Sequence, residues 1–254
     1  MKIFQKYSLE LDVDRCIDFA IDDSFRNKFK NGITVSFWYK GMGWGGGYNY
    51  DYLVSISSRW FDMDGDGDND TINRISFQTT DYYIEFQRGV SYYIRYTQTL
   101  TYNDYLDNQW HYYVGIISED YMKLYVDNDL IGQIDFKQYG QIGIVNLQDV
   151  NFDIAKFSSE CIGKFGELRV YNRALTKKEV EYLYNGGHIE DGLVFWLYPN
   201  EEDVVLDDDG QTVLQVTERI NGYVGTAYNG VKLVDGKDID ELKTSKKVLV
   251  VKRV

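Results

Sequence analysis

The sequence has little proline, cysteine or positive charge. Its 254 residues include one proline and two cysteines, and 27 basic residues stand against 40 acidic ones, giving a formal net charge of −13. A chain this acidic repels phosphate, so we expect no nucleic-acid partner and some demand for cations. Two cysteines are too few for a disulfide scaffold. Cys16 and Cys161 can pair if the first and last strands of the fold are neighbours; otherwise they are separate buried thiols.

Long apolar runs are also absent. No stretch is long enough to span a bilayer, so we expect no transmembrane anchor and no membrane insertion. Polar residues follow Phe4 at once, and no secretion signal is visible. The location predicted from the sequence is therefore open between a virion surface and the extracellular space.

Aromatic residues are abundant by contrast. They make up 16% of the chain and include 23 tyrosines. Alternating Tyr-rich and β-branched patterns, as in residues 82–89 and 91–102, are typical of half-buried β-strands. The length is enough for one large sandwich or for a sandwich with an extension. The composition thus predicts an all-β chain.

The stretch 166–187, GELRVYNRALTKKEVEYLYNGG, carries the most specific local pattern. It reads as a strand, a tight turn and one short helix at about residues 176–185. Thr176 and Glu179 form a T-x-x-E capping box, which satisfies backbone donors at a helix start. A Gly-Gly pair at 186 and 187 then supplies the left-handed residue that commonly ends a helix.

A second pattern lies upstream, at residues 108–132. It reads as two strands, the second of which ends at a tight turn over Asp127, Asn128 and Asp129 that returns the chain antiparallel. Asn128 tolerates the positive φ that such a turn requires.

These motifs resemble the laminin-G-like, concanavalin A-type jelly roll, which pentraxins share. Trp110-His111 stands where that family has "WH", and Leu124 to Asp127 matches its "LYVD". Ile33 to Gly41 is similar to an early family strand, and Cys16 to Phe19 to the first core strand. The resemblance covers roughly residues 7–187 and implies an antiparallel two-sheet jelly-roll sandwich with one short helix, in which His111 is structural.

The chain changes character near residue 188. We assign 1–187 to the jelly-roll domain and 188–254 to a C-terminal β extension, whose segments 192–215 and 218–236 resemble the opening strands of another such unit. This extension either completes the sandwich in place of a missing opening or forms a small independent appendage. The final strand, within 246–254, is a possible edge for joining a neighbouring chain.

An acidic stretch from residue 62 to residue 70 predicts a calcium site. Ca²⁺ prefers six to eight oxygen ligands, and carboxylates at alternate positions of a tight loop converge on one point. The spacing resembles thrombospondin type-3 calcium repeats, although position twelve is Asn73 where an EF-hand has Glu. The alternative is a solvated acidic loop. The expected ligands are Asp62, Asp64, Asp66, Asp68 and Asp70.

Catalysis is not expected. Glycosidases of the resembled fold carry an E-x-D-x-E strand, whose alternate carboxylates share one face. Glu10, Asp12 and Asp14 come close to that pattern, but they precede the first core strand, and a polar edge strand explains them equally well. No Ser/His/Asp set, zinc spacing or phosphate loop is apparent.

The glycine-rich stretch GMGWGGGYNYDY, residues 41–52, is the better functional candidate. Its aromatic side chains offer flat faces with polar tips, which suit sugars and protein interfaces alike, unless they simply pack over the core. The candidate glycan- or partner-binding residues are Trp44, Tyr48, Tyr50 and Tyr52.

Taken together, the sequence predicts a non-catalytic module that recognises a glycan or a cell-surface component, with Ca²⁺ stabilising its loops. Virion surface attachment is one setting, by analogy of fold. The alternative is a purely structural protein that assembles with its own copies or with other virion proteins, and a glycoside hydrolase is a remote one.

Overall fold

The structure is a computed structural model that describes residues 6–12, 15–19, 21–26, 28–29, 32–44, 51–58, 74–79, 84–88, 92–97, 107–139, 150–154, 161–236 and 249–251. These residues form a sandwich of two sheets in which every strand pairing is antiparallel, so the predicted all-β class is confirmed. No helix among them is both long enough and apolar enough to cross a membrane.

The first sheet has eight strands. From one edge to the other they are β10 (Asp129–Asp135), β9 (Tyr121–Val126), β8 (Trp110–Ile117), β3 (Ile33–Trp44), β12 (Cys161–Tyr171), β1 (Tyr7–Leu11) and β17 (Lys232–Asp235), with β13 (Leu193–Leu197) pairing to β12 as well.

The second sheet has ten strands. Their order is β14 (Val204–Leu206), β15 (Val213–Thr217), β16 (Val224–Tyr228), β2 (Cys16–Phe19), β11 (Val150–Ile154), β4 (Asp51–Ser58), β5 (Arg74–Thr79), β6 (Ile84–Arg88), β7 (Tyr92–Thr97) and β18 (Leu249–Val251). Strand β18 lies at an edge of this sheet among the strands that the structure describes; its joining to a neighbouring chain stays a prediction.

The core lies between the two sheets because apolar residues alternate with polar ones along the strands. Phe37 of β3 meets Phe77 of β5 edge to face, with ring centroids 4.8 Å apart. Each fully buried aromatic of this kind contributes roughly 1.5–3 kcal/mol. Gly115 of β8 allows a close approach of the two sheets, since a Cβ there would lie 2.4 Å from the ring of Phe86 on the opposite sheet.

Two helices accompany the sheets, α1 (Asp23–Arg26) and α2 (Lys177–Tyr184), together with 3-10 turns at Phe136–Tyr139 and Glu201–Asp203. Helix α2 confirms the predicted short helix. Thr176 and Glu179 make the capping box in both directions, and Gly186 follows with a φ of 86°. Val180 and Leu183 of α2 pack on the outer face of the eight-stranded sheet, forming a second apolar cluster there.

The hairpin of β9 and β10 also has the predicted turn. Asp127 and Asn128 both have positive φ, 50° and 71°. Two consecutive left-handed residues match the right-handed twist of the flanking strands, and Asn and Asp are the non-glycine residues that tolerate this conformation best.

The segment after residue 187 contributes strands to both sheets. Strands β13 and β17 pair with β12 and β1 of the first sheet, and β16 pairs with β2 of the second. Phe195, Val216 and Leu233 from this segment belong to the core between the sheets. The backbone pairing therefore makes residues 193–235 integral to the sandwich.

The two cysteines lie in different sheets, Cys16 in β2 and Cys161 at the start of β12. A disulfide was expected only if the two cysteines lay on neighbouring strands, and they do not. Cys16 is half-buried.

Candidate functional site

The first and last residues of the predicted aromatic stretch lie in different sheets, at the end of β3 and the beginning of β4. Trp44 ends β3 opposite Cys161 in the eight-stranded sheet, and Tyr52 lies in β4 opposite Gln78 in the ten-stranded sheet. Tyr48 and Tyr50 lie outside the described residues. We call the end at which β3 finishes and β4 begins the aromatic end.

The predicted calcium ligands Asp62, Asp64, Asp66, Asp68 and Asp70 all lie outside the described residues. The flanking strands nevertheless show where their segment starts and finishes, since β4 ends at Ser58 and β5 begins at Arg74. The eight residues of β4 span about 24 Å, so Ser58, the last described residue before this segment, lies at the opposite end of β4 from Asp51. In the described part of the chain, no group of three or more His, Cys, Asp or Glu residues is placed to hold a metal ion.

The carboxylates that resemble a glycosidase strand have a structural partner. Arg15 lies 3.6 Å from Glu10 and 3.4 Å from Asp12, and Asp14 lies outside the described residues. Strand β1 is not an edge strand, because β17 lies beyond it; the edge-strand explanation of these residues was therefore wrong. Arg15 therefore already occupies the carboxylates that a glycosidase strand would present to its substrate.

A buried ion-pair cluster supports the aromatic end. The Nδ1 of His111 lies 2.6 Å from Oδ2 of Asp127, and its Nε2 lies 3.2 Å from Oδ2 of Asp107. Burial alone lowers the pKa of this imidazole, but the hydrogen bonds and charges of the two carboxylates outweigh that effect and raise the pKa to about 9. At neutral pH, His111 is therefore a positively charged structural residue that is paired with two carboxylates.

This cluster is tied to the stem of the aromatic stretch. The backbone N–H of Asn108, next to Asp107, donates to the carbonyl of Gly41 at 3.0 Å. The carboxylate of Asp127 accepts a further bond from the backbone N–H of Tyr112 at 2.9 Å. The cluster thus holds the backbone at Gly41, where the aromatic stretch begins. Met42, the next residue, is exposed.

The outer face of the ten-stranded sheet, the face turned away from the other sheet, carries a continuous row of polar positions. Cross-strand register joins them one to the next across seven strands. We call this set the polar row: Gln215, Thr226, Asp18, Asp153, Ser55, Ser76 and Gln87.

Alternation with core residues fixes which face the described members occupy. Asp18 lies between Ile17 and Phe19, which are both in the core. Ser76 likewise lies between Ile75 and Phe77. Because successive side chains of a strand point to opposite faces, Asp18 and Ser76 belong to the outer face.

Solvent access falls along the polar row towards the centre of the sheet. Gln215 and Thr226 are exposed, Asp18 is half-buried, and Ser76 is only 1% exposed. The hydroxyl of Ser76 has no hydrogen-bond partner in the structure. A buried, unpaired hydroxyl costs about 1–3 kcal/mol. Because the side chain of Ser76 is already covered, the described members of the row that are open to solvent are Gln215 and Thr226.

The polar row was missed by reasoning from the sequence. Each strand shows its own signal, since CIDF, RISFQT and their neighbours alternate apolar and polar residues. The alignment of those polar positions into one row depends on register between strands far apart in the chain, which no local pattern reveals.

A second polar cluster lies on the eight-stranded sheet and has a structural role. The indole N–H of Trp196 donates to Glu167 at 2.6 Å, and the same carboxylate accepts from Arg169 at 2.8 Å. Arg219 stacks over Trp196 and donates to Asp203 at 2.8 Å. The cluster fastens β13 and the loop after β15 to β12, and its charged groups are all paired.

The sequence matches a family model described as the concanavalin A-like lectin/glucanases superfamily over residues 19–181, more than half of the chain. The chain belongs to this superfamily. The resemblance seen in the Trp110-His111 and Leu124–Asp127 motifs is thereby confirmed. Membership fixes the fold, and the superfamily's description covers both sugar-binding lectins and sugar-hydrolysing glucanases.

Solved structures agree with that fold. A protein of Bacteroides ovatus, described as a candidate carbohydrate binding protein, superposes with a TM-score of 0.63 at 14% identity; the match covers 92% of this chain and 60% of that one. This chain therefore spans less than two thirds of that relative's length.

Two further structures are similar at lower TM-scores. The SAP-like pentraxin of Limulus polyphemus gives 0.43 at 14% identity, over 76% of this chain and 93% of that one. The CBM40 of Ruminococcus gnavus IT-sialidase, bound to α2,3-sialyllactose, gives 0.45 at 10% identity, over 72% of this chain and 100% of that one. No curated protein sequence matches the chain.

Proposed function

We propose that the chain is a non-catalytic glycan-recognition module that binds its ligand on the outer face of the ten-stranded sheet. The observation that supports this proposal most is the polar row, of which Gln215 and Thr226 are exposed to solvent. From β16 to β5 the row spans about 19 Å, at 4.8 Å per strand, which accommodates an oligosaccharide rather than a single sugar.

The aromatic stretch extends this surface. Tyr52, the last residue of the stretch, is in register with Gln78, two residues along β5 from Ser76, so its position adjoins the polar row. Polar groups that orient a ligand and aromatic rings that stack on it are the usual combination in a carbohydrate site. We therefore retain Trp44, Tyr48, Tyr50 and Tyr52 as proposed contacts at one end of the glycan.

The superfamily and the Bacteroides ovatus relative support a sugar as the ligand class. The pairing of Glu10 and Asp12 with Arg15 supports binding without hydrolysis. Calcium at Asp62 to Asp70 is a further proposal from the sequence; it would stabilise the segment between β4 and β5, away from the aromatic end. A virion setting stays a prediction from the sequence.

Self-assembly is the second candidate function, and one observation favours it. Val205, Leu214 and Val224 are exposed on strands β14 to β16, and β14 is an edge strand of the ten-stranded sheet. An exposed edge with apolar neighbours is a surface on which another copy can pair. Light scattering of the purified chain separates a monomer from such an assembly.

A glycan array combined with one variant tests the proposed function. The wild-type monomer should bind a defined set of glycans, and Gln215→Ala should bind them several-fold more weakly. Stability should be nearly unchanged in this variant, because Gln215 is exposed. Gln211→Ala is the matched control, since Gln211 is an exposed glutamine in the turn before β15 and lies outside the polar row. An array without signal, or Gln215→Ala with wild-type affinity, would overturn the proposal.

A further inference from the structure

The two edges of the ten-stranded sheet run in opposite directions. Among the strands that the structure describes, β14 pairs only with β15, and β18 pairs only with β7. The nine pairings that lead from one edge to the other are all antiparallel, so the tenth strand runs opposite to the first. If a second copy in the same orientation is placed beyond either edge, the two facing strands are therefore antiparallel, and the alternation of strand directions continues from one copy into the next.

Acidic residues flank strand β14 on both sides. Three precede the strand and three follow it: Glu201, Glu202, Asp203, Asp207, Asp208 and Asp209. All of them are exposed except Asp203, which is half-buried. Within the strand, Val205 is 51% exposed. An apolar edge strand with carboxylates at both ends suits an extended segment that is apolar in its centre and positively charged at both ends.

Nearby cations offset only part of this charge. Arg219 donates to Asp203 at 2.8 Å, and Lys6 lies 3.9 Å from Glu201. Lys232 acts weakly on one of the other four carboxylates. In the described part of the chain, six carboxylates thus have three cations nearby, so the edge as a whole stays negative.

The opposite edge has the complementary charge pattern in its sequence. Strand β18 consists of the three apolar residues LVV. In the sequence, Lys246 and Lys247 come shortly before this strand, and Lys252 and Arg253 come directly after it. In an antiparallel pair of β14 with β18, acidic residues at both ends of one strand would meet basic residues at both ends of the other. The chain thus has complementary strands at the two edges of one sheet.

The other pairings of these two edges are unfavourable. Two β14 strands would bring together two sets of six carboxylates, and two β18 strands would bring together basic residues only. The chain's own β18 is too far from its own β14, because nine strand steps of about 4.8 Å separate them by about 43 Å along the sheet. Opposite charges therefore meet only when β14 of one copy pairs with β18 of another.

We infer that copies of this chain associate head to tail, with β18 of one copy pairing antiparallel to β14 of the next. Because the two surfaces differ, the contact is heterologous and builds a ring or an open chain of copies, not a two-fold dimer. Strand β14 has three residues, so the contact is small and depends on protein concentration. This inference rests on self-assembly, the second candidate function, and deepens it by naming the partner of β14.

Two charge-reversal variants test the contact. The mass of the wild type in solution, measured by light scattering, should rise above that of a dimer as the protein concentration increases. Asp207→Lys/Asp208→Lys should reduce this mass to that of a monomer, and so should Lys246→Asp/Lys247→Asp, because each variant places like charges at one end of the strand pair. Combining all four substitutions restores opposite charges and keeps the net charge of −13, so the wild-type association should return.

Glu119→Lys/Asp120→Lys is the control, since it makes the same change of charge at two exposed residues between β8 and β9 of the other sheet. It should associate at least as strongly as the wild type, and melting temperatures should establish that all variants are folded. A wild type that stays monomeric at every concentration would overturn this inference and self-assembly together. Association that persists in either reversal variant, or that does not return in the combined variant, would overturn the contact of β14 with β18 and leave self-assembly through another surface.

Discussion

His111 and Asp127 are joined by a 2.6 Å contact between Nδ1 and Oδ2, made across the β8–β9 pair at the aromatic end of the sandwich. Asp107 closes the other side of the same imidazole at 3.2 Å. The cluster fixes the Asp127–Asn128 turn and the entry to β8 at once, and through Asn108 it holds Gly41. The buried, positively charged His111 thus stabilises the chain near Gly41, where the proposed recognition stretch begins.

This brace makes stability depend on pH in the alkaline range. The pKa of His111 is raised from 6.5 to about 9, so its contribution is complete below about pH 6.5 and is lost as the pH rises through 9. The total is of order 3 kcal/mol. We expect the melting temperature to fall between pH 7 and pH 9.5.

Asp107→Asn isolates this effect from the titration of tyrosines and lysines. The substitution removes one raising influence from His111, so the stability loss should move to lower pH. Asp120→Asn, which removes an exposed carboxylate paired with Lys137, is the control and should leave the midpoint where it is. Superimposable pH profiles for wild type and Asp107→Asn would contradict the role assigned to the cluster.

Calcium should stabilise the chain through the segment between β4 and β5. If Asp62, Asp64, Asp66 and Asp70 bind Ca²⁺ through side-chain oxygens, EGTA should lower the melting temperature, because a ligand bound only to the folded state stabilises it by mass action. The double variant Asp64→Ala/Asp66→Ala should abolish the response. Asp208→Ala/Asp209→Ala, a change of equal charge in an exposed turn, should retain it. If EGTA does not change the melting temperature, only the alternative interpretation, a solvated acidic loop, remains.

Trp44→Ala distinguishes three roles for the aromatic stretch. A recognition role predicts weaker glycan binding, by about 2 kcal/mol, with nearly unchanged stability. A core role predicts that the free energy of unfolding falls by roughly 3–5 kcal/mol. An assembly role predicts folded monomers that no longer oligomerise. Melting temperature, mass in solution and glycan affinity of this variant are the three readouts, and retained binding with lowered stability would count against the site.

A chain shortened to residues 1–187 tests how the extension belongs to the fold. Its loss would remove the partners of β1, β2 and β12 and strip Phe195, Val216 and Leu233 from the core. We expect the shortened chain to be unfolded or aggregated, as judged by near-ultraviolet circular dichroism and light scattering. A shortened chain that melts cooperatively as a monomer would instead fit an independent appendage.

Local signals in the sequence predicted the elements that they physically determine. The capping box at Thr176 and the positive φ at Asn128 are properties of a few neighbouring residues, and both are found in the structure. The family motifs predicted the two-sheet sandwich. What could not be predicted is non-local: that β16 pairs with β2, and that Asp18, Asp153 and Ser76 fall into one row.

The predicted site residues illustrate the same limit. Aromatic and acidic stretches stand out in a sequence because of their composition, but composition does not say that the two stretches start from opposite ends of β4. The partner Asp107 of His111 was likewise not visible from spacing, since it precedes the strand and meets the imidazole only after the chain has turned.

The location of the bound glycan is the most direct test of the central claim, and hydrogen–deuterium exchange measures it strand by strand. With a saturating array-selected glycan, we expect slower exchange in peptides from β2, β11, β4, β5 and β16, and in the stretch 41–52. Peptides from α2, which packs on the outer face of the other sheet, and from β9, a strand of that sheet, should exchange as in the free protein. Protection confined to α2 and the eight-stranded sheet would contradict the account.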